Sequence, residues 1–181
     1  MYYMLHKYTL GKVASVFYIY PTKEHYLKGI GREIKLAHTS VIQQLNELKK
    51  LNLIKENIQI KGKRRFPVYK ANINNRIFTK YKLLYNFMSI LDSGLIEFIH
   101  DNMMPKSIVL FGSYRRGEDT EESDIDLFIA AREKNVDIIR FEKILKRKIQ
   151  LHYKENFIEF PDELKNNIAN GIVLDGYLEV Y

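Results

Sequence analysis

The sequence predicts an α+β protein with an N-terminal helical domain closed by a hairpin, connecting helices, and a C-terminal mixed sheet flanked by helices. Two switches from helical to strand periodicity support this, one near Asn57 and one near Ile108. The third observation is charge. Residues 1–75 carry 14 Lys and Arg against 4 Glu and no Asp, and residues 76–181 carry 15 against 18 Asp and Glu, so +10 is followed by −3. Such asymmetry marks two modules, the first suited to a polyanion, although a Lys-rich surface selected for solubility gives the same count. In 181 residues of which 46% are hydrophobic there is enough apolar material for real cores. The absence of Cys excludes disulfides and thiolate metal sites. The start, MYYMLHKYTL, lacks a signal-peptide apolar run, and no stretch reaches membrane-spanning length. A soluble cytoplasmic protein with no membrane partner is therefore expected.

The first ten residues give no clear pattern. From Gly11 to Tyr20, apolar residues at Val13, Val16, Phe17 and Tyr20 repeat with helical spacing until Pro21. Thr22 is placed to cap a second helix from Lys23 to about Ile30, followed by a short helix that turns Ile30, Ile34 and Leu36 inward. Over 38–50, Val41, Ile42, Leu45 and Leu48 form an apolar face, with Thr39 or Ser40 as N-cap. The period then changes. Asn57 to Ile60 alternates, with Ile58 and Ile60 on one face and Gln59 opposite. Lys61-Gly62-Lys63-Arg64 makes a basic turn, and Phe66 to Tyr69 is the return strand.

Helix, helix, polar-headed helix and basic-tipped hairpin together resemble a winged helix-turn-helix over about Gly11 to Ala71. The resemblance rests on element order and charge rather than on a motif. It implies that Thr39, Ser40 and Gln43 meet the major groove of double-stranded DNA, while Lys61, Lys63, Arg64 and Arg65 meet phosphates or the minor groove. A small helical domain serving as a dimerisation or docking platform is the other reading of the same elements.

Residues 1–75 are thus read as the DNA-binding module and 76–104 as connecting helices. In the latter, Ile77, Tyr81, Leu84 and Phe87 repeat at threes and fours, as do Ile90, Leu91, Leu95, Ile96 and Ile99. Gly94 divides the two helices and Pro105 ends the second. These apolar residues are core or homodimer contacts.

The remaining module, 105–181, is organised around SIVLFGSYRRGEDTEESDIDLFIAA, Ser107 to Ala131. A strand-like run stops at Gly112-Ser113, and Asp124-Ile125-Asp126 opens a second run. Side chains alternate along a strand, so Asp124 and Asp126 share a face and Ile125 faces the core. Two carboxylates at a sheet mouth suit a hard cation such as Mg²⁺, and Gly112 with Ser113 suits a phosphate. The other reading is a hairpin whose acidic turn is solvated. After Ala131 the sequence predicts a helix over Val136 to Leu145 with Asp137 in its first turn, a strand over Lys148 to Tyr153, a helix around Leu164 and Ile168, and an apolar end at Gly171 to Leu174.

Gly112, Ser113, Asp124 and Asp126 fill G-S-x10-D-x-D, and the stretch resembles the minimal nucleotidyltransferase branch of the polymerase-β-type superfamily. Arg116-Gly117-Glu118 and Ser123 match residues common between the two halves of that pattern. The likeness runs from about Leu95 to the C-terminus. It implies transfer of NMP from Mg²⁺-NTP to an acceptor hydroxyl, with Asp124 and Asp126 as metal ligands and catalytic carboxylates. It also implies Gly112, Ser113 and Arg115 or Arg116 at the phosphates, or else the arginines paired with Glu118, Glu121 or Glu122. A two-metal site is compatible with the resemblance, and many family members take a third carboxylate from the strand after the helix to help ligate the catalytic metal and activate the acceptor. Here that strand offers Gln150, which is neutral, and His152, which is either a base or a structural residue. The family includes antitoxins that adenylylate a partner protein, so a protein acceptor is one candidate. An enzyme with a DNA-directing module and a nucleotide-sensing regulator with a weak transferase domain both follow.

Overall fold

The computed structural model describes residues 9–155 and 157–179, except the side chain of Lys61. The expected α+β class is what it shows. The chain folds as two compact units that divide between Tyr85 and Asn86.

The N-terminal unit contains α1 (Thr9–Ile19), β1 (His25–Tyr26), α2 (Leu27–Ile34), α3 (His38–Lys50), β2 (Ile54–Lys61) and β3 (Arg64–Ala71). The strands form an antiparallel sheet in the order β1-β3-β2. Its core joins Val13, Val16 and Phe17 of α1 to Ile30, Val41, Leu45, Leu48, Leu53, Ile54 and Tyr69. Several local expectations need correction. Thr22 does not cap a helix, because His25-Tyr26 are drawn into pairing with Val68 and Tyr69, and the helix starts only at Leu27. The two short helices expected over 23–36 are one, with Gly31 buried inside it and Lys35 closing it in the left-handed conformation at φ 54°. α3 starts at His38 behind Ala37, whose carbonyl accepts the Val41 N–H, so Thr39 and Ser40 lie within its first turn rather than at its cap. Ile42 is 43% exposed, a helical step away from buried Val41. Ile58 and Ile60 do share a face, but it is the solvent face, while Gln59 accepts from the Tyr26 hydroxyl at 2.5 Å.

Helix α4 (Arg76–Ser93) follows Asn75, whose side-chain oxygen accepts the Ile77 N–H. Its apolar stripe is not the buried one: Ile77, Tyr81 and Leu84 are about half exposed, whereas Phe78, Lys82, Asn86 and Ile90 are buried. Gly94 (φ 75°) separates α4 from α5 (Leu95–Met103), as its position suggested.

In the C-terminal unit, β4 (Ser107–Phe111) leads into the single-turn α6 (Gly112–Arg116). β5 (Ile125–Ile129), α7 (Ile139–Leu145), β6 (Ile149–Tyr153), a 3₁₀ turn (Phe157–Glu159), α8 (Asp162–Ala169) and β7 (Ile172–Gly176) follow. The sheet is mixed, ordered β6-β5-β4-β7, with only the β5–β6 pair parallel. Ile108, Leu110, Ile125, Leu127 and Ile129 pack on one face with residues of α5 and α7. Val109, Phe111, Phe128 and Ala130 pack on the other with Phe157, Phe160 and Ile168. Burying both faces accounts for the nearly continuous apolar runs in β4 and β5. Asp137 precedes α7 instead of lying in its first turn, and its Oδ1 accepts the Ile139 N–H at 3.1 Å. Among the described residues no helix is long and apolar enough to cross a membrane.

Candidate active site

The site forms where β4 ends and β5 begins. Antiparallel pairing sets Phe111 opposite Asp126, so the chain leaving β4 passes beside that carboxylate. Gly112 sits there with φ 73°, and a Cβ built on it would overlap Asp126 Oδ2. Only glycine meets both demands, a left-handed φ and no side chain against the acid. The chain then makes one helical turn and stops at Gly117, φ 70°, where the Glu118 N–H returns to the Ser113 carbonyl. Tyr114 points inward and is buried, leaving Gly112 and Ser113 on the partly exposed side.

The return loop is fastened by a residue that the sequence did not single out. Asp119 is buried, accepting from Asn86 Nδ2 at 2.7 Å and from Arg147 Nη2 at 3.2 Å. Asn86 also donates to the Tyr114 carbonyl at 2.9 Å, so one amide ties α6 and the loop to α4. Ser123 and Thr120 close a tight turn, the Thr120 N–H donating to Ser123 Oγ at 2.9 Å. Asp124 is then delivered to the mouth of β5, and Ile125 starts the strand by donating to the Lys148 carbonyl. No local signal marks Asp119 or Arg147, which sit in ordinary acidic and basic runs.

Parallel pairing of β5 with β6 places Gln150 beside Asp126 and His152 beside Phe128. The side-chain contacts step diagonally. Gln150 Nε2 donates to Asp124 Oδ2 at 2.5 Å, and His152 Nε2 lies 3.3 Å from Asp126 Oδ1. The His152 ring stands 5.1 Å from that of Phe111, tilted by 59°. Gly112 and Ser113 at the end of β4, Asp124 and Asp126 at the start of β5, and Gln150 and His152 of β6 thus come from one end of three adjacent strands. Arg116 turns to Glu118, its Nε donating at 2.6 Å, the alternative the sequence had left open. Among the described residues Arg115 Nε is buried with no hydrogen-bond acceptor. A cleft of about 580 Å³ opens beside Asp124, with Glu121, Glu122 and Glu142 on its wall alongside Lys143, Lys146 and Lys148.

Asp124 and Asp126, with the bare Cα of Gly112 against one carboxylate, are a donor set that fits a hard divalent cation such as Mg²⁺. Among the described residues no group of three or more His, Cys, Asp or Glu converges into a metal cage. The remaining ligands of a bound cation would therefore be substrate and water oxygens.

Strand, Gly-Ser turn, fastened loop and Asp-x-Asp strand define a nucleotidyltransferase type of domain. The family described as "Nucleotidyltransferase domain" matches residues 93–175. A protein of Methanocaldococcus jannaschii named a putative protein adenylyltransferase is 43% identical over 68 residues, which cover 33% of this chain and 68% of that protein. The chain belongs to the nucleotidyltransferase family, with its polymerase-β-type domain in the C-terminal unit. No solved structure gives a significant match.

Proposed function

We propose that this protein is a Mg²⁺-dependent nucleotidyltransferase that moves NMP from an NTP to an acceptor hydroxyl. The observation that carries the reading is Gly112 packed against Asp126, with Asp124 just before β5 and held by Gln150 of β6. Asp124 and Asp126 hold the cation. Ser113 and the backbone N–H groups that follow Gly112 hold the triphosphate, with Arg116 able to leave exposed Glu118 for it, since such surface pairs contribute at most about 1 kcal/mol. Bound Mg²⁺ supplies charge neutralisation for the phosphoryl oxygens. The acceptor hydroxyl gives its proton to water, its oxygen forms a bond to the α-phosphorus, the bond to the bridging oxygen breaks, and pyrophosphate leaves. A protein hydroxyl as acceptor and ATP as donor are supported by the name of the Methanocaldococcus relative.

Gln150 bears on turnover. It occupies the strand position where many relatives present a third carboxylate, and a neutral amide accepts no proton at ordinary pH. Its hydrogen bond to Asp124 favours a second reading, a regulator that senses nucleotide with little transfer. Pyrophosphate release with Mg²⁺ and each NTP separates the two. The enzyme reading expects release with at least one NTP and label appearing on a protein acceptor. Nucleotide binding without release leaves the sensor, and no nucleotide binding removes both.

The N-terminal unit fits a winged helix that directs this chemistry to DNA or to control of its own gene. Thr39 and Gln43 are exposed at helical spacing on α3, Ser40 is half-buried beside them, and Lys63, Arg64 and Arg65 are exposed at the hairpin tip. Lys61 belongs to that basic group by sequence, but its side chain lies outside the described residues. On this reading 1–75 binds DNA, 76–104 connects and 105–181 transfers, and the exposed Ile77, Tyr81 and Leu84 are available to a homodimer. Replacing Lys63, Arg64 and Arg65 by Ala should weaken duplex binding and reduce the slope of log affinity against log salt by up to about three. Titrations at several salt concentrations check this, and an unchanged slope removes the wing from the interface.

A further inference from the structure

We propose that the β2–β3 hairpin is a wedge that bends duplex DNA, with Ile60 entering between base pairs from the minor groove while the basic tip holds the backbone. This rests on the reading of residues 1–75 as a DNA-binding winged helix.

The hairpin outgrows its core. β1 pairs with Val68 and Tyr69 of β3, and the next residue of β3 toward the tip is Pro67, which has no N–H to continue the pairing. Among the described residues the sheet beyond it is a two-stranded arm. On that arm the antiparallel register sets Ile58 opposite Pro67 and Ile60 opposite Arg65. Directly opposed residues share a face with Cβ atoms about 5 Å apart, so Ile58, Ile60 and Pro67 make one apolar strip beside a guanidinium. Ile58 is 54% exposed and Ile60 70%, and Pro67 is exposed with them. Strand propensity does not call for aliphatic side chains here, since Thr is β-branched too. On an edge strand such residues invite unwanted pairing.

The chemistry of the arm selects its partner. From Asn57 to Ala71 there are five Lys and Arg and no Asp or Glu. Lys63, Arg64 and Arg65 are exposed around the tip. Isoleucine and proline are among the side chains that architectural proteins push between base steps, and arginine is attracted to a narrow minor groove. A polyanion whose apolar stack can be opened therefore fits this surface. A lipid surface fits it less well, because interfacial anchors spread their apolar area along a helix, whereas this strip is two side chains and a ring.

The test uses the full chain and a duplex of about 30 bp with several TA steps, which unstack readily. Dyes at the two ends read bending by energy transfer, and 2-aminopurine in the TA steps reads unstacking by its fluorescence. The native chain should bend the duplex by at least about 20° and brighten the 2-aminopurine. Ile60→Thr keeps β-branching and should bind within about threefold at the same salt slope, since phosphate contacts carry most of the affinity, yet lose both signals. Ile60→Leu keeps an apolar wedge and should retain them. Native signals in Ile60→Thr, or their loss in Ile60→Leu, would overturn the proposal. Duplex binding by the native chain without bending or brightening removes the wedge alone. No duplex binding removes the DNA reading with it, and binding to phosphatidylserine vesicles in its place gives the strip to a membrane.

Discussion

Asp126→Asn should abolish Mg²⁺-dependent NTP binding and any transfer while leaving the fold intact. Asn is nearly isosteric, so it can occupy the space against Gly112 without forcing the left-handed turn to move. The side chain is 25% exposed and belongs to neither apolar cluster of the sheet, so little stability rides on its charge. Function is a different matter. A unit charge at about 4 Å interacts by about 1 kcal/mol in water and about 4 kcal/mol at an effective dielectric constant of 20, and a dication doubles this. Removing one of two carboxylates should therefore weaken the ternary complex at least about 100-fold. The triphosphate then meets Asp124 without full compensation, which opposes binding further. Titration calorimetry with Mg²⁺ and a non-transferable NTP analogue measures the effect. Native-like affinity in Asp126→Asn with Mg²⁺ present would remove the metal-site reading.

The stretch from Gly112 to Asp126 was legible as strand, turn and strand because its pattern is local. Gly112-Ser113, the ten-residue interval and Asp124-Ile125-Asp126 lie within one hairpin, with Asp126 in β5 opposite Phe111 and Asp124 immediately before the strand. The buried period of β4 and β5 was equally plain, because both faces of those strands are covered. Position 150 was reached only through the family resemblance; the parallel β5–β6 pairing sets it beside Asp126. What sequence missed is non-local. His25-Tyr26 form a strand only because Val68 and Tyr69 offer a free edge, which local propensity favouring a helix from Lys23 does not reveal. In α4 the more regular apolar repeat, Ile77-Tyr81-Leu84, is the exposed one, while Lys82 and Asn86 occupy buried positions. Periodicity identifies a stripe but not which stripe is covered. Asp119 was hidden for the same reason: nothing in GEDTEES separates the one buried carboxylate from its solvated neighbours.

That carboxylate gives the largest expected change in stability. Asp119→Ala should destabilise the C-terminal unit by about 3–5 kcal/mol, the usual consequence of removing one partner from a buried ion pair. The Asp119 and Arg147 side chains are 0% and 2% exposed, so the guanidinium would lose a buried charged partner without gaining water in exchange. Asn86 Nδ2 would lose one of its two acceptors in the same step. Replacing both ends, Asp119→Leu with Arg147→Met, should recover part of the loss, because an apolar pair carries no charge to desolvate. Native-state hydrogen exchange at the β4 and β5 amides reads this locally, as a fall in their opening free energy. The site should suffer with the fold. Asp119 anchors the loop between α6 and β5, so freeing it loosens the approach to Asp124 and should lower nucleotide affinity even where the protein stays folded. Exchange in Asp119→Ala within about 1 kcal/mol of native would show that the loop is held by its Thr120–Ser123 turn and backbone pairing, and that the buried charges contribute nothing net.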